Sequence, residues 1–471
     1  MSDTPSTNSV NDETFRRFQS THQGQLIRPG DEVYDEARRV WNGMIDRYPA
    51  LIVRCAGVED VIAAVNFARE NHLRVAVRAG GHSVAGHATC DEGLVVDLSM
   101  MKHIQVDPAA HTARVQGGVT WGELDAATQV HSLATPGGLV SVTGIAGLTL
   151  GGGFGWLRNK YGLSCDNLIS AEVVTADGRV ITASKDENQD LLWGLRGGGG
   201  NFGIVTTFEY QLHPVGPDVM FVFVLYDGTG ENLNKGLRFY RDFCKRVPDE
   251  ASTIAVCGKV PPEPAYPAEL HENPYVLFGG LYAGPVEEGK RVLQPLLDFG
   301  QPLLDYSGIQ PYVDAQKAWD ADYPDGKRYY WKSLNLISLD DHAIQRIANH
   351  ARQQPSVHST IDLWHIGGAV ARVSAEASAF HGRQAAFLLS PEANWEDEAD
   401  DKANIVWLRN FIADMAPFSD GSRYLNFAGF QEEEEMMRKA FGSQYERLVA
   451  LKNKYDPTNL FNLNQNIKPT V

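Results

Sequence analysis

In VAVRAGGHSVAGHATC, Val75 to Cys90, an alternating apolar run ends in a bare Gly80-Gly81 pair, and an imidazole, His82, comes next, followed by Ser83 and a second pair, Gly86-His87. Just before it, LIVRCAG from Leu51 reads as a strand, and VEDVIAAVNFARENH sets Val58, Val61, Ile62, Val65 and Ala68 on one helical face. Strand, helix, strand makes an α/β unit, and the glycines follow its second strand, where open sheets present loops to ligands. Next come the strand GLVVDLS, a hairpin HIQVDPAAHTARVQGG turning at Asp107-Pro108, and a helix WGELDAATQVH opened by the capping box of Thr120 and Glu123.

A second glycine-dense stretch, GGLVSVTGIAGLTLGGGFG over 137–155, holds eight glycines, too many for regular structure unless something needs the bare backbone. Both stretches offer successive N–H groups with no side chain in the way, a cradle for phosphate oxygens, and a dinucleotide is the economical ligand. Tight turns alone account for one glycine pair but not for eight. Gly198 to Gly203 matches G-x-G-x-x-G as text, yet a helix-like DLLWGLRG precedes it and a β-branched run follows, the reverse of the dinucleotide fingerprint. Gly81-His82-Ser83-Val84-Ala85 is one residue short of a hydrolase nucleophile elbow, and no helical pattern follows the serine.

The chain of 471 residues is long enough for two domains, and no apolar run is long enough to span a bilayer. The start, MSDTPSTNSVND, lacks the basic and apolar regions of a secretory signal, so the sequence reads as cytoplasmic with a disordered polar tip. A formal charge of −17 without a basic cluster disfavours nucleic acid as a partner. The acidic run Glu432 to Glu435 reads as the first turn of a helix. Five cysteines without C-x-x-C spacing argue against a disulfide framework and a structural zinc, and no motif calls for a metal. After Pro214 long strands alternate with amphipathic helices to about Pro417, which predicts an α+β unit with a mostly antiparallel sheet. His82 could be a loop residue, a general base or a nucleophile bonded to a cofactor, and Cys165 a buried small residue or a second nucleophile.

Three motifs in order, Arg78-Ala79-Gly80-Gly81-His82-Ser83, Gly151-Gly152-Gly153-Phe154-Gly155 with Tyr161 to Asn167, and Tyr455-Asp456-Pro457 through Asn464-Gln465-Asn466-Ile467, make the chain resemble the berberine bridge enzymes, FAD-linked oxidases of the vanillyl-alcohol-oxidase type. The resemblance runs from about residue 45 to the C-terminus. It implies a two-lobed α+β fold with a PCMH-type FAD-binding domain over 1–214, joined by a returning tail over 421–471. A substrate domain over 215–420 would carry a mostly antiparallel sheet flanked by helices. It also implies FAD attached twice, through His82 and Cys165, and contacts from Arg78, Gly80, Gly81, Ser83, Gly86, His87, Gly138, Thr143, Gly144, Gly147, Gly152, Gly155, Asp166, Asn167, Gly203, Ile204, Val205, Asn464 and Gln465.

The activity implied is hydride transfer from an alcohol, sugar or natural-product substrate to the flavin, with molecular oxygen as acceptor giving hydrogen peroxide. A dehydrogenase with another acceptor or an amine oxidase is the alternative. Many relatives carry Y-x-N-Y, whose second tyrosine, or a nearby carboxylate, is the base, whereas this chain reads Tyr424-Leu425-Asn426-Phe427, and phenylalanine accepts no proton. On STIDLWHIGGAV, alternation sets Asp362 and Trp364 on one face and His365 on the other. Asp362 is the first candidate base, with His365 and Tyr330 behind it. A hydrolase using Ser83 and a flavin-binding protein without catalysis are the competing functions.

Overall fold

The computed structural model describes residues 12–20, 22–264, 266–429 and 434–471. The polar tip and the start of the acidic run at Glu432 lie outside the described residues.

The predicted α/β unit forms as read. Strands Gln25–Ile27, Leu51–Arg54, Leu94–Asp97 and Val75–Arg78 lie side by side in that order, the last three parallel. Helix Val58–Glu70 covers one face, where Val61, Ala64, Val65 and Ala68 pack on Val53, Val75 and Val96. A second sheet, antiparallel throughout, runs Ile104–Asp107, Thr112–Gln116, Ile204–Gln211, Leu168–Val174, Val180–Ala183. Two of its strand pairs are hairpins, one turning at Asp107-Pro108 as read and the other at Asp177-Gly178. At the helix start, Glu123 Oε2 accepts the Thr120 amide at 2.7 Å, as the capping pattern requires.

The third sheet, with nine strands among the described residues, is antiparallel at every pairing and built from Asp218–Asp227, Ala251–Lys259, Pro274–Tyr282, Pro302–Asp305, Gly308–Pro311, Arg328–Trp331, Leu334–Leu336, Thr360–His365 and Phe387–Trp395. Strand alternation divides its side chains between two cores. Val222, Val224, Ile361, Leu363 and Leu389 face helices Asn232–Cys244, Val286–Leu297, Asp341–Arg352 and Asp401–Met415. Phe221, Phe223, Ile254, Trp364 and Leu388 face the other way, toward Trp41, Phe154, Trp156 and Tyr424.

The glycine stretch 137–155 departs from expectation, because it holds a short helix, Ile145–Leu150, that buries Ile145, Ala146 and Leu150 against the second sheet. Its three buried apolar anchors outweigh the cost of Gly147 within it. The tail returns to the Gly198–Gly203 segment. The Lys452 ammonium, fully buried and paired with Asp456 at 2.7 Å, also donates to the Asn201 and Phe461 carbonyls, and Asn464 Nδ2 donates to Gly200 O.

Among the described residues, no helix is long and apolar enough to cross a membrane.

Candidate active site

A cleft of about 1920 Å³, its open mouth included, runs between the glycine segments and the third sheet. One side is backbone with few side chains: Gly80, Gly81, Gly138, Gly144, Gly147, Gly151, Gly198, Gly199, Gly200 and Gly203. Gly80 and Gly144 lie backbone to backbone, so a Cβ on either would strike the other's main chain, and only glycine permits that approach. Above Gly147 and Gly200, by contrast, a Cβ would meet nothing within 4 Å. The bare backbone there faces open cleft, which is the room a cofactor's diphosphate chain needs. Buried Asn464 Oδ1, on the same wall, has no hydrogen-bond partner.

His82 stands at the end of the first glycine loop, its ring stacked on Trp41 at 4.5 Å. Burial pulls its pKa down to about 4, so the imidazole is neutral, with a lone pair available on one nitrogen. Nδ1 lies 3.4 Å from the Thr143 hydroxyl, and Nε2 is buried without a partner. An orphaned nitrogen on a cleft wall shaped by glycine fits a flavin-linked histidine.

The structure brings most of the anticipated contacts onto this wall: Gly80, Gly81, His82, Ser83, His87, Gly138, Thr143, Gly144, Gly147, Gly203, Ile204, Val205, Asn464 and Gln465. Others stand off it. The Arg78 guanidinium turns away to pair with Asp97 at 2.7 Å and to cap the Ala37 and Arg39 carbonyls. Gly86 packs on Ile45, Gly152 on Phe380 and Gly155 on the Gly137 carbonyl. Asp166 holds Arg383 through two oxygens at 2.6 and 2.9 Å, and Asn167 bonds the Tyr161 and Leu163 carbonyls and His213. Ser83 Oγ accepts the His87 amide in a loop with no helix after it, so the hydrolase elbow is not formed.

Cys165, too, is absent from the residues lining the cleft. Its amide donates to the Gly152 carbonyl at 2.9 Å, which sets it behind the Gly151–Gly153 turn, and its side chain belongs to the buried cluster of Phe154, Trp156 and Leu163, of which Phe154 lines the cleft. Burial, with Asp166 beside it, pushes the thiol pKa up, the opposite of an activated thiolate. Val140 and Thr143 both line the wall.

Trp331 and Trp364 of the third sheet, with Trp319, Tyr323 and Phe427 from segments outside its strands, form an aromatic wall. Asp362 faces the cleft on the same side as Trp364, as alternation predicted. Tyr330 points the other way into the helix-facing core, where the Arg409 Nε donates to its hydroxyl at 3.2 Å. His365 lies outside the cleft lining, and the Asn159 amide meets its Nδ1 at 3.2 Å. Tyr424, the tyrosine that remains of the usual pair, is pinned: its hydroxyl oxygen accepts from Asn426 Nδ2 at 2.8 Å and the Gly153 amide at 3.2 Å, and burial pushes its pKa up to about 12.

Sequence reasoning missed Glu392, which lines the cleft beside Asp362, and the backbone of Gly198 to Gly200. Glu392 had no local signal because only strand pairing brings it near Asp362. The glycine triplet had one, its bare backbone, which the failed dinucleotide match obscured. Burial raises both carboxyls, Glu392 to about 7 and Asp362 well above the ordinary carboxylate range, and the charge of Glu392 raises Asp362 further.

Comparison with known proteins agrees with this geometry. Residues 49–184 match the family model described as FAD binding domain, and residues 423–468 the one described as berberine and berberine like. An FAD-linked oxidoreductase of Dictyostelium discoideum is 33% identical over 455 residues, 96% of each chain. The (R)-6-hydroxynicotine oxidase of Paenarthrobacter nicotinovorans is 30% identical over 95% of this chain and 97% of its own. The crystal structure of 6-hydroxy-D-nicotine oxidase from Arthrobacter nicotinovorans superposes with a TM-score of 0.85 at 28% identity, covering 95% of this chain and 98% of that one.

Proposed function

The chain belongs to the berberine-like family of FAD-linked oxidoreductases, and from that premise we propose that it oxidises a small molecule at a carbon bearing a hydroxyl or an amine nitrogen, with FAD held by a single covalent bond from His82 and molecular oxygen as final acceptor. Residues 1–214 with 421–471 form the FAD-binding part in this reading, and 215–420 the substrate part. The observation that carries it is one cleft with a glycine-built wall ending in the unpartnered His82 Nε2 and an aromatic wall bearing Asp362.

When bound, FAD accepts the substrate's hydride and passes the electrons on. The protein's own groups do the rest. The backbone of Gly147 and Gly200 leaves room for the diphosphate, and neutral His82 supplies the nitrogen for attachment. Rings of Trp319, Trp331 and Trp364 fix the substrate and exclude water, and Asp362 takes its proton. With Cys165 behind the glycine turn, one attachment replaces the two expected.

Anaerobic mixing with a panel of alcohols, sugars and amines is the test. One class should bleach the flavin absorbance, with peroxide appearing in step with substrate loss once air returns. Asp362→Asn should slow bleaching by roughly 10²- to 10⁴-fold, the usual range for a lost general base, at unchanged flavin content. Bleaching without peroxide would make the enzyme a dehydrogenase, and an unchanged rate in Asp362→Asn would remove that residue from the chemistry.

A further inference from the structure

Asp362 and Glu392 sit on paired strands, with Asp362 facing Ser390 and Thr360 facing Glu392 across the ladder. They are therefore diagonal neighbours on one sheet face, within reach of each other. Both line the cleft, and each is 2% exposed. Glu392 is fully engaged: Oε1 accepts from Ser390 Oγ at 2.7 Å and Oε2 from the Tyr323 hydroxyl at 2.8 Å. Asp362 Oδ1 is buried and has no partner.

Around the pair stand Trp319, Trp331, Trp364, Tyr323 and Phe427, and no lysine or arginine is among the residues lining the cleft. The titratable groups interacting with the pair are Asp322, Tyr323, Tyr275, Tyr329 and Cys257, and none is a cation; Lys327 acts on Asp322 instead. Buried carboxylates without a counter-charge are costly, and aromatic faces attract cations. A ligand that brings its own positive charge meets both conditions. A sugar would need a partner for every hydroxyl, and among the buried polar atoms of this wall the unpartnered ones are Asp362 Oδ1 and the indole N–H groups of Trp319 and Trp364.

We propose that this wall takes a substrate carrying a protonated amine, seated with its N–H at the Asp362–Glu392 pair, and that the pair removes that proton. The inference rests on the reading of the cleft as an FAD-linked oxidation site and assigns its substrate class. In the step, the ammonium N–H bond breaks, the proton goes to Asp362 Oδ1, and the electron pair stays on nitrogen. The neutral amine then releases hydride from the adjoining carbon as the C=N⁺ bond forms, and those two electrons go to FAD.

The test uses yellow holoenzyme and calorimetric titration with benzyltrimethylammonium, whose charge does not change with pH, against neutral benzyl alcohol. The cation should bind at least about tenfold more tightly than the alcohol, the ratio that about 1.4 kcal/mol represents. Its affinity should rise as pH increases through about 7 and Glu392 ionises. Asp362→Asn and Glu392→Gln should each abolish that preference and flatten the pH dependence, while flavin content stays unchanged. Equal binding of cation and alcohol by flavin-loaded protein, or a preference surviving both substitutions, would overturn the amine assignment alone. Protein that purifies without flavin would instead defeat the reading of the cleft beneath it.

Discussion

Glu392 is a buried acid whose pKa burial pushes up from 4.5 to about 7. An acid raised in the folded state holds its proton where the unfolded chain has lost it. Its contribution to stability is therefore full below about 4.5 and falls as pH rises to about 7. Glu392→Gln removes a charge that the fold must otherwise bury, so the variant's Tm relative to the parent should be higher at pH 8 than at pH 5. The corresponding change in relative unfolding free energy should be on the order of a few kcal/mol. A Tm difference independent of pH would mean that Glu392 ionises as freely folded as unfolded. At this scale sequence legibility divides by what sets a side chain's direction. Asp362 was readable because strand alternation alone orients it. Glu392 lies thirty positions away and only sheet pairing delivers it. Cys165 and Arg78 carry the right chemistry in the right motif, but the turn at Gly152 and the carboxylate of Asp97 turn them from the cleft.

The glycine loops show what an element requires of its residues. Sequence alone marks where side chains are missing but not why. At Gly80 and Gly144 the reason is the other loop's backbone, and at Gly147 it is the open cleft. Two substitutions separate these reasons. Gly144→Ala forces the loops apart and should cost roughly 1–3 kcal/mol of stability along with flavin content. Gly147→Ala sits inside helix Ile145–Leu150 with nothing near its new methyl. It should leave the flavin-free protein as stable, or up to about 1 kcal/mol more stable, and still lower flavin loading. Denaturant titration and the ratio of flavin to protein absorbance read both effects. Full loading in Gly147→Ala would move the cofactor off this helix. The helix itself escaped the sequence reading because its apolar anchors Ile145 and Leu150 are interleaved with glycines that mask the period.

At the scale of the molecule, the two sides of the cleft are tied by buried cations that no local pattern announces. Arg383, from the segment before strand Phe387–Trp395, grips Asp166 beside the glycine turn, with side chains only 2% and 10% exposed. Arg158 donates to carbonyls of Gly155, Thr253 and His365, joining the glycine segment to the third sheet. Arg383→Met leaves Asp166 buried and unpaired, and should cost about 3–5 kcal/mol by denaturant unfolding. These ties hold the glycine wall and the aromatic wall at a fixed separation, which the proposed attachment through His82 alone depends on. Peptide mass spectrometry of the denatured, proteolysed protein tests that attachment directly. The account predicts FAD mass on the peptide carrying His82, unmodified Cys165, and unchanged modification in Cys165→Ala. Flavin mass on the Cys165 peptide, or covalent flavin persisting in His82→Ala, would contradict it.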